Sequence, residues 1–463
     1  MDDAPLATKE AWLAQVAAGL KDGDAERLTR RTFDDLPLKV LYTAEDAPAP
    51  PRLALAARDE NRPWDLRTAT AHPDPARANR EILDDLEGGA ASVVVRIDPG
   101  GRDGVAIGSA EALARTLGGV ILELAPVGLD AGFLGPGAAE WLSDAAKGSP
   151  AARLMFNLDP LTAFARVGAS PGPIEAHLAE AANAAARLEP SYPRASLFMA
   201  SGRVAHEAGG GAAIELGVAT ASALAYAKAL ARAGLDPAQV FGWITLGLSA
   251  EAEYFRTIAK LRAARLIWTR MTEACGAAQP ATIEARSSRR MLAARDVWTN
   301  MLRLTLAGFG AAAGGADAVV LGAFTDPLGA PTPFARRQSR NVQLVLMEEA
   351  HVGAVADPAA GSWFLESLTE AIARQGWAAF QAIEAQGGIV GALTSGHVAN
   401  AVAADRAALM ASAAPKVGDT IYLNAEDAPP AVEPVTAATA PGAPSPRLPG
   451  SDTHCPALEP IVA

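Results

Sequence analysis

From residue 91 onward the chain alternates between two patterns. Short runs rich in β-branched and other apolar residues are each followed by a longer segment whose apolar positions recur every three or four residues. The short runs are "ASVVVRID" (91–98), "GGVILELAP" (118–126), "RLMFNLD" (153–159), "ASLFMAS" (195–201), "FGWITLGLS" (241–249), "ATIEARSS" (281–288), "AVVLGAFTD" (318–326) and "VGAVAD" (352–357). Between them, 174–189, 213–234 and 252–271 read as amphipathic helices. Gly234 stands where the second of these should end, Ser249 stands as a possible N-cap before the third, and Asp326-Pro327 stops a strand.

Strand–helix alternation predicts an α/β fold with a parallel sheet and helices outside it. Eight repeats of the unit predict closure into a (β/α)8 TIM barrel over 91–424, with an open doubly wound sheet as the other solution. Residues 1–90 lie outside the repeat: a short helix ("KEAWLAQVAAGLKDG"), an extended arm ("LPLKVLYTAED") and a Pro-rich stretch leading into the barrel. Residues 425–463 are rich in Pro and Ala, too poor in bulky apolar groups to build a core, and are expected to be a disordered tail.

Composition narrows the function classes. A net charge of -12 and no basic stripe interleaved with aromatics argue against nucleic acid as a partner. Two cysteines, Cys275 and Cys455, make no disulfide framework and suit a reducing cytoplasm. The N-terminus has no signal-like apolar region, and the most apolar stretch, Leu304 to Val320, is interrupted by Asp317, so no membrane span is expected.

One stretch carries candidate chemistry. "SGRVAHEAGG" (201–210) follows a strand, so Arg203, His206 and Glu207 stand where barrel loops form a mouth. One reading makes them an acid/base pair with an arginine anchor for an anion; the other makes them a polar loop capping the next helix. Metal ligation is not expected, because the six histidines are scattered without ligand spacing. No Walker loop, G-x-G-x-x-G or nucleophile elbow is present. Asp452 and His454 in "SDTHCPA" imitate part of a cobalamin-ligating loop, but Ala457 takes the glycine position and six residues follow it, so no flavodoxin-like cobalamin domain is expected there.

Several stretches together resemble the methylmalonyl-CoA mutase family: "PLKVLYTAED" (37–46), "NRPWDLR" (61–67), "IAKLRAARLIWTRM" (258–271), and "PFARRQSRNVQLVLMEE" (333–349) followed by "ADPAAGSWFLESLTE" (356–370). The resemblance covers about residues 25–425. It implies a barrel that threads an acyl-CoA along its axis, beneath a separate domain holding adenosylcobalamin. In catalytic chains of this family the start of the 201–210 stretch reads Ser-Gly-Tyr-His. Here Ser201-Gly202 are followed by Arg203 and Val204, and valine neither donates a hydrogen bond nor moves a proton. His206 lies two residues on, over ~6 Å away in an extended loop. The family's Gln-Tyr-Ala-Gly-Phe run is Thr68-Ala69-Thr70-Ala71-His72, which puts Ala69 at the tyrosine, and its Thr-Gln-Ser-Leu-His stretch is Ala316 to Val320.

The resemblance therefore implies a non-catalytic small subunit of a heterodimeric, adenosylcobalamin-dependent mutase. Its large partner would hold the acyl-CoA and the cobalamin and carry out the radical rearrangement of methylmalonyl-CoA to succinyl-CoA. Catalytic, cofactor and metal residues are then expected to be absent from this chain, and the barrel axis is expected to be blocked by Phe156, Phe198 or Met199. The alternative is the catalytic barrel of a split acyl-CoA mutase with a separately encoded cobalamin protein, for which Arg203, His206 and Glu207 would be the working residues.

Overall fold

The computed structural model describes residues 8–461 except 22, 47–61, 150, 413, 425, 437 and 441. Eight strands close into an all-parallel barrel: β1 (Asp65–Thr70), β2 (Ser92–Arg96), β3 (Val127–Asp130), β4 (Leu154–Leu158), β5 (Ser196–Ser201), β6 (Ile244–Ala250), β7 (Thr282–Ser287) and β8 (Ala318–Val320). They run in chain order, and β8 pairs with β1 through Ala318 and Asp65. Six of the expected strands fall on observed ones. Two do not. The 118–126 run makes turns that leave Ile121 and Leu124 58% and 73% exposed, and the strand begins after Pro126. The 352–357 run is a single 3-10 turn with Val355 outside.

The strand that takes the missing place is β1, inside the segment assigned to the arm. "DLRTAT" lacks the apolar signature of a buried strand because Asp65 and Arg67 hold polar partners inside the barrel. The loop at 201–210 thus follows the fifth strand of the barrel, although its run, 195–201, is the fourth of those expected from the sequence.

The outer helices begin where local chemistry permits. Pro75 follows the capping Asp74 at α2 (Pro75–Glu87), and Pro160 follows the capping Asp159 at α5 (Pro160–Val167). The longer helices α8 (Ala212–Arg232) and α9 (Tyr254–Ala274) lie close to their expected limits and pack with α12 (Trp363–Ala385). Helix α8 is long and apolar enough to cross a membrane by length and composition, but 78% of that window is buried in the protein. Ser249 caps nothing; it ends up within β6.

The arm lies against this layer. Residues Arg30–Arg31 pair with Pro37–Leu38, Leu36 is buried, Asp34 meets Arg256 at 2.6 Å, and Tyr42 packs on Phe364. Helix α1 (Lys9–Gly19) buries no residue. The arm's residues 47–60 lie outside the described residues.

The tail does not follow the expectation of disorder. Its described residues run around the C-terminal rim of the barrel, tied by main-chain hydrogen bonds from Glu433 to Ala330, Ala440 to Pro99, Leu448 to Pro171, Cys455 to Gly168, Leu458 to Ala165 and Ile461 to Glu207. Thr453–His454 pair antiparallel with Ala169–Ser170, and Arg77 grips Glu433 with two guanidinium nitrogens. The composition argument fails because the tail borrows the barrel's core and edges instead of building its own. Leu458 is 3% exposed, and Gly101 at φ +60 lets Ala438 O pass where a Cβ would lie 1.9 Å from it.

Candidate site at the barrel mouth

A cavity of about 370 Å³ opens at the C-terminal ends of the strands. Arg203 and Val204 line it from the start of α7 (Arg203–Glu207), Asp130 and Asp159 from the ends of β3 and β4, Arg286 from β7, and the tail closes one side with Leu458, Pro460 and Ile461. Helix α7 can form only because residue 202 is glycine: a Cβ there would lie 2.0 Å from Glu215 O.

Of the three candidate residues, the structure brings two to the cavity. Arg203 faces it with its Nε donating to Ser201 Oγ at 3.1 Å, and its nearest carboxylate is Glu284 at 3.6 Å. Burial and the neighbouring Arg286 push the Arg203 guanidinium down to about 10. Glu207 lines the cavity too, but its two oxygens accept the main-chain N–H groups of Arg289 and Arg290. His206 is 1% exposed and turned away from the cavity, because the loop is helical and not extended. Its Nε2 lies 2.8 Å from Ser288 Oγ and its Nδ1 3.4 Å from Glu215. His206 and Glu207 therefore do not form an acid/base pair.

Behind the loop lies a buried network. Glu215, fully inside, takes Lys260 Nζ at 2.5 Å and the N–H and hydroxyl of Ser249 at 2.6 and 2.8 Å. Burial works against the Glu215 charge, yet Lys260 and His206 hold its carboxyl well below the usual range. Glu251 is held low in the same way, mainly by Arg290.

The barrel interior carries charges that the sequence reading missed. Arg67 meets Asp65 at 2.6 Å and, past the intervening β8, Glu284 at 2.7 Å; Glu284 also takes Arg286 at 2.7 Å. Burial opposes the Glu284 charge, but Arg286, Arg67 and Arg203 pull its carboxyl down to about 2. Likewise burial would raise Asp130, while Arg96, Arg286, Arg166 and Arg203 hold it low. The available signal was charge at alternate positions within strands, as in Glu284 and Arg286 of "ATIEARSS". This ionic lattice, not a row of aromatics, fills the lumen beneath the mouth. Phe156 and Phe198 face the helix layer, against Tyr192 and Tyr226, and Met199 alone of the three lines the cavity.

Two acids at the mouth behave oppositely to the lattice. Burial raises Asp159 to about 6 despite hydrogen bonds from Thr162 and Tyr226, and raises Asp326 to about 6 despite Arg289. Each binds its proton more tightly folded than unfolded. The stability each contributes is therefore complete below the unfolded value near pH 4 and lost as pH rises through about 6. Glu284 and Asp130, with lowered values, lose nothing in that window. The thermal midpoint is expected to be higher at pH 5 than at pH 7.5. Asp159→Asn and Asp326→Asn should each recover about 1–2 kcal/mol at pH 7.5 and flatten the profile, the figure being reduced for partial exposure. A midpoint that climbs steadily from pH 5 to 7.5 would contradict this.

Of the two residues that the resemblance sets at the family's tyrosine and histidine, Val204 lines the cavity, and Ala69 lies in β1 and is not part of that lining. Ala69 offers only its main-chain oxygen, which accepts from Arg336 at 3.2 Å. Asp317, at the other end of the barrel, ties Arg265 and the Ile283 N–H. His454 is exposed in its two-residue ladder at the rim. Among the described residues no three His, Cys, Asp or Glu side chains gather as a metal site.

Comparison with known proteins agrees with the barrel. The family profile "Methylmalonyl-CoA mutase" matches residues 55–438. The chain is 38% identical over 424 residues to a methylmalonyl-CoA mutase small subunit of Streptomyces virginiae, covering 86% of this chain and 67% of that protein. A probable methylmalonyl-CoA mutase small subunit of Mycobacterium bovis is 38% identical over 84% of this chain and 65% of its own length. The methylmalonyl-CoA mutase small subunit of Propionibacterium freudenreichii subsp. shermanii is 32% identical over 86% and 65%. The chain spans about two thirds of the length of these relatives.

Proposed function

Because the chain belongs to the methylmalonyl-CoA mutase family, we propose that it is a non-catalytic small subunit, paired in the cytoplasm with a large subunit that binds acyl-CoA and adenosylcobalamin and converts methylmalonyl-CoA to succinyl-CoA. The observation that carries this reading is the chemistry of the mouth. Alanine and valine occupy the positions where the family's catalytic chains place tyrosine and histidine. The nearest histidine, His206, is buried beneath the loop in contact with Ser288 and Glu215. A radical rearrangement needs groups that bear on the thioester and exclude water, and neither Ala69 nor Val204 holds or moves a proton. The names of the relatives add support, since a small subunit is named against a larger one.

The described residues do not fit a corrinoid. His454 is held by its main chain against Ala169, and apolar tail residues stand at the mouth where the cofactor's face would have to approach. In this proposal the cofactor belongs to the partner, and this chain carries no step of the reaction. Its contribution is structural: a barrel surface and an arm for an obligate interface, a class that buries about 2,000 Å² or more. Helix α1, with Trp12, Leu13 and Val16 only half-buried, is the part of the arm most in need of cover.

The test is reconstitution. Mutase turnover is expected only when this chain is co-purified with a long partner carrying both a barrel and a cobalamin domain, and this chain alone should show none. Turnover restored by a short cobalamin-binding protein alone, and lost in Arg203→Ala or His206→Ala, would overturn the proposal in favour of a split catalytic barrel.

A further inference from the structure

The mouth cavity is more than a remnant emptied of chemistry, because one of its guanidiniums, Arg203, makes no hydrogen bond to an acid. Five guanidiniums, Arg67, Arg96, Arg166, Arg203 and Arg286, converge in and above the lumen. Four carboxylates answer them at short range. Asp65 and Glu284 take Arg67, Glu284 also takes Arg286, and Asp103 takes Arg96 and lies 3.7 Å from Arg166. Asp130 sits 3.7 Å from Arg286 and 4.0 Å from Arg96. Arg203 is left with one hydroxyl, Ser201, and no carboxylate within hydrogen-bond distance. The nearby Asp159 has one oxygen engaged by the Tyr226 hydroxyl at 2.6 Å and the Thr162 N–H at 3.0 Å. A guanidinium whose fork is turned to a cavity, and whose one carboxylate, Glu284, stands 3.6 Å away while held at 2.7 Å by two other guanidiniums, still has donors to offer an anion.

A second observation points the same way. Asn157 lines the cavity at 7% exposure, its amide Nδ2 has no hydrogen-bond partner, and its backbone is held at φ +47. A buried donor left without a partner costs about 1–3 kcal/mol unless something accepts from it. Left-handed strain at a lining residue, which no glycine relieves here, is a feature of ligand sites.

The rest of the wall sets the ligand's shape. Leu129, Met199, Val204, Leu292, Leu458 and Ile461 bring apolar surface to the same space. We infer that the mouth binds a small monocarboxylate with an apolar stem, the carboxylate on Arg203 and the stem against the tail residues Leu458 and Ile461. A phosphate dianion fits less well, since Asp130, Asp159, Glu207 and Asp326 line the same cavity and Glu284 stands 3.6 Å from Arg203. The size, about 370 Å³, lies in the range of small-molecule sites. This inference concerns the chain's own cavity and stands whether or not a large subunit is its partner.

The experiment is isothermal titration calorimetry on the full chain with sodium hexanoate, hexanamide, sodium phosphate and butyryl-N-acetylcysteamine. Hexanoate is expected to bind saturably at one site. Hexanamide and the neutral thioester, with similar stems and no carboxylate, should bind at least about tenfold more weakly, which is about 1.4 kcal/mol. Arg203→Gln should lose at least about tenfold in hexanoate affinity while keeping its melting temperature. If that variant does not fold, the contrast between hexanoate and hexanamide on the unaltered chain decides. Absence of saturable hexanoate binding at about 10 mM, equal binding of hexanamide, or tighter binding of phosphate would each overturn the inference.

Discussion

Glu284→Ala is expected to yield no soluble folded protein, the largest effect of any single substitution in this chain. The carboxylate is fully buried and serves three guanidiniums: Arg67 and Arg286 at 2.7 Å each and Arg203 at 3.6 Å. Breaking one buried pair by removing one partner costs about 3–5 kcal/mol, because the remaining charge has nowhere to go. Here more than one charge is stranded, and a whole domain is stable by only about 5–15 kcal/mol. Glu284→Gln keeps acceptor geometry for Arg67 or Arg286 and should give soluble protein with a clearly lowered urea midpoint. An ordinary buried pair can often be replaced by two apolar residues at little cost. Glu284→Leu with Arg67→Met should not recover, since Arg286 and Arg203 still face the gap. Soluble Glu284→Ala with an unchanged midpoint would show that water, not the carboxylate, neutralises the lumen.

That lattice also explains what could and could not be read from the sequence. Apolar period located β2, β4, β5, β6, β7 and the start of β8, because their outward faces are buried under helices and their runs are nearly continuous. It missed β1 for the opposite reason: Asp65 and Arg67 are polar because their partners are inside, and a pattern test scores them as loop. The apolar run at 352–357 attracted a strand assignment although Val355 lies on the surface. The tail was misread because composition measures whether a segment can bury itself, not whether a neighbour supplies the partners. Glu433, Ala440 and Leu458 find theirs on Arg77, Pro99 and Ala165, hundreds of residues earlier in the chain.

The mouth was legible only in part. Strand C-termini point to a mouth, and Arg203 is in it. Whether His206 faced the cavity or the helix layer depended on α7, and α7 depended on a contact between Gly202 and Glu215 that no local pattern reveals. The ionic lattice needed three dimensions, because Arg67 and Glu284 stand on strands separated by β8.

Glu215→Ala should then distinguish a working histidine from a structural one. Glu215 takes Lys260 Nζ, both donors of Ser249 and the His206 ring, and every one of these groups is buried. Its removal strands the Lys260 ammonium and is expected to cost about 3–5 kcal/mol, read as a fall in the urea midpoint without a change in slope. Glu215→Gln should cost less, since it still accepts from Ser249. Glu215→Leu with Lys260→Met should regain much of the loss, because this network, unlike the lumen, has one dominant ion pair. The sign with pH follows from the lowered Glu215 carboxyl: its stability is present above about pH 4 and is lost as acid protonates it below that. His206 belongs to the same network, so His206→Gln, which can keep the contact to Ser288, should shift the midpoint only slightly. It should leave turnover of an assembled enzyme unchanged. A histidine that touched substrate would give the opposite pattern, an unchanged midpoint and lost turnover.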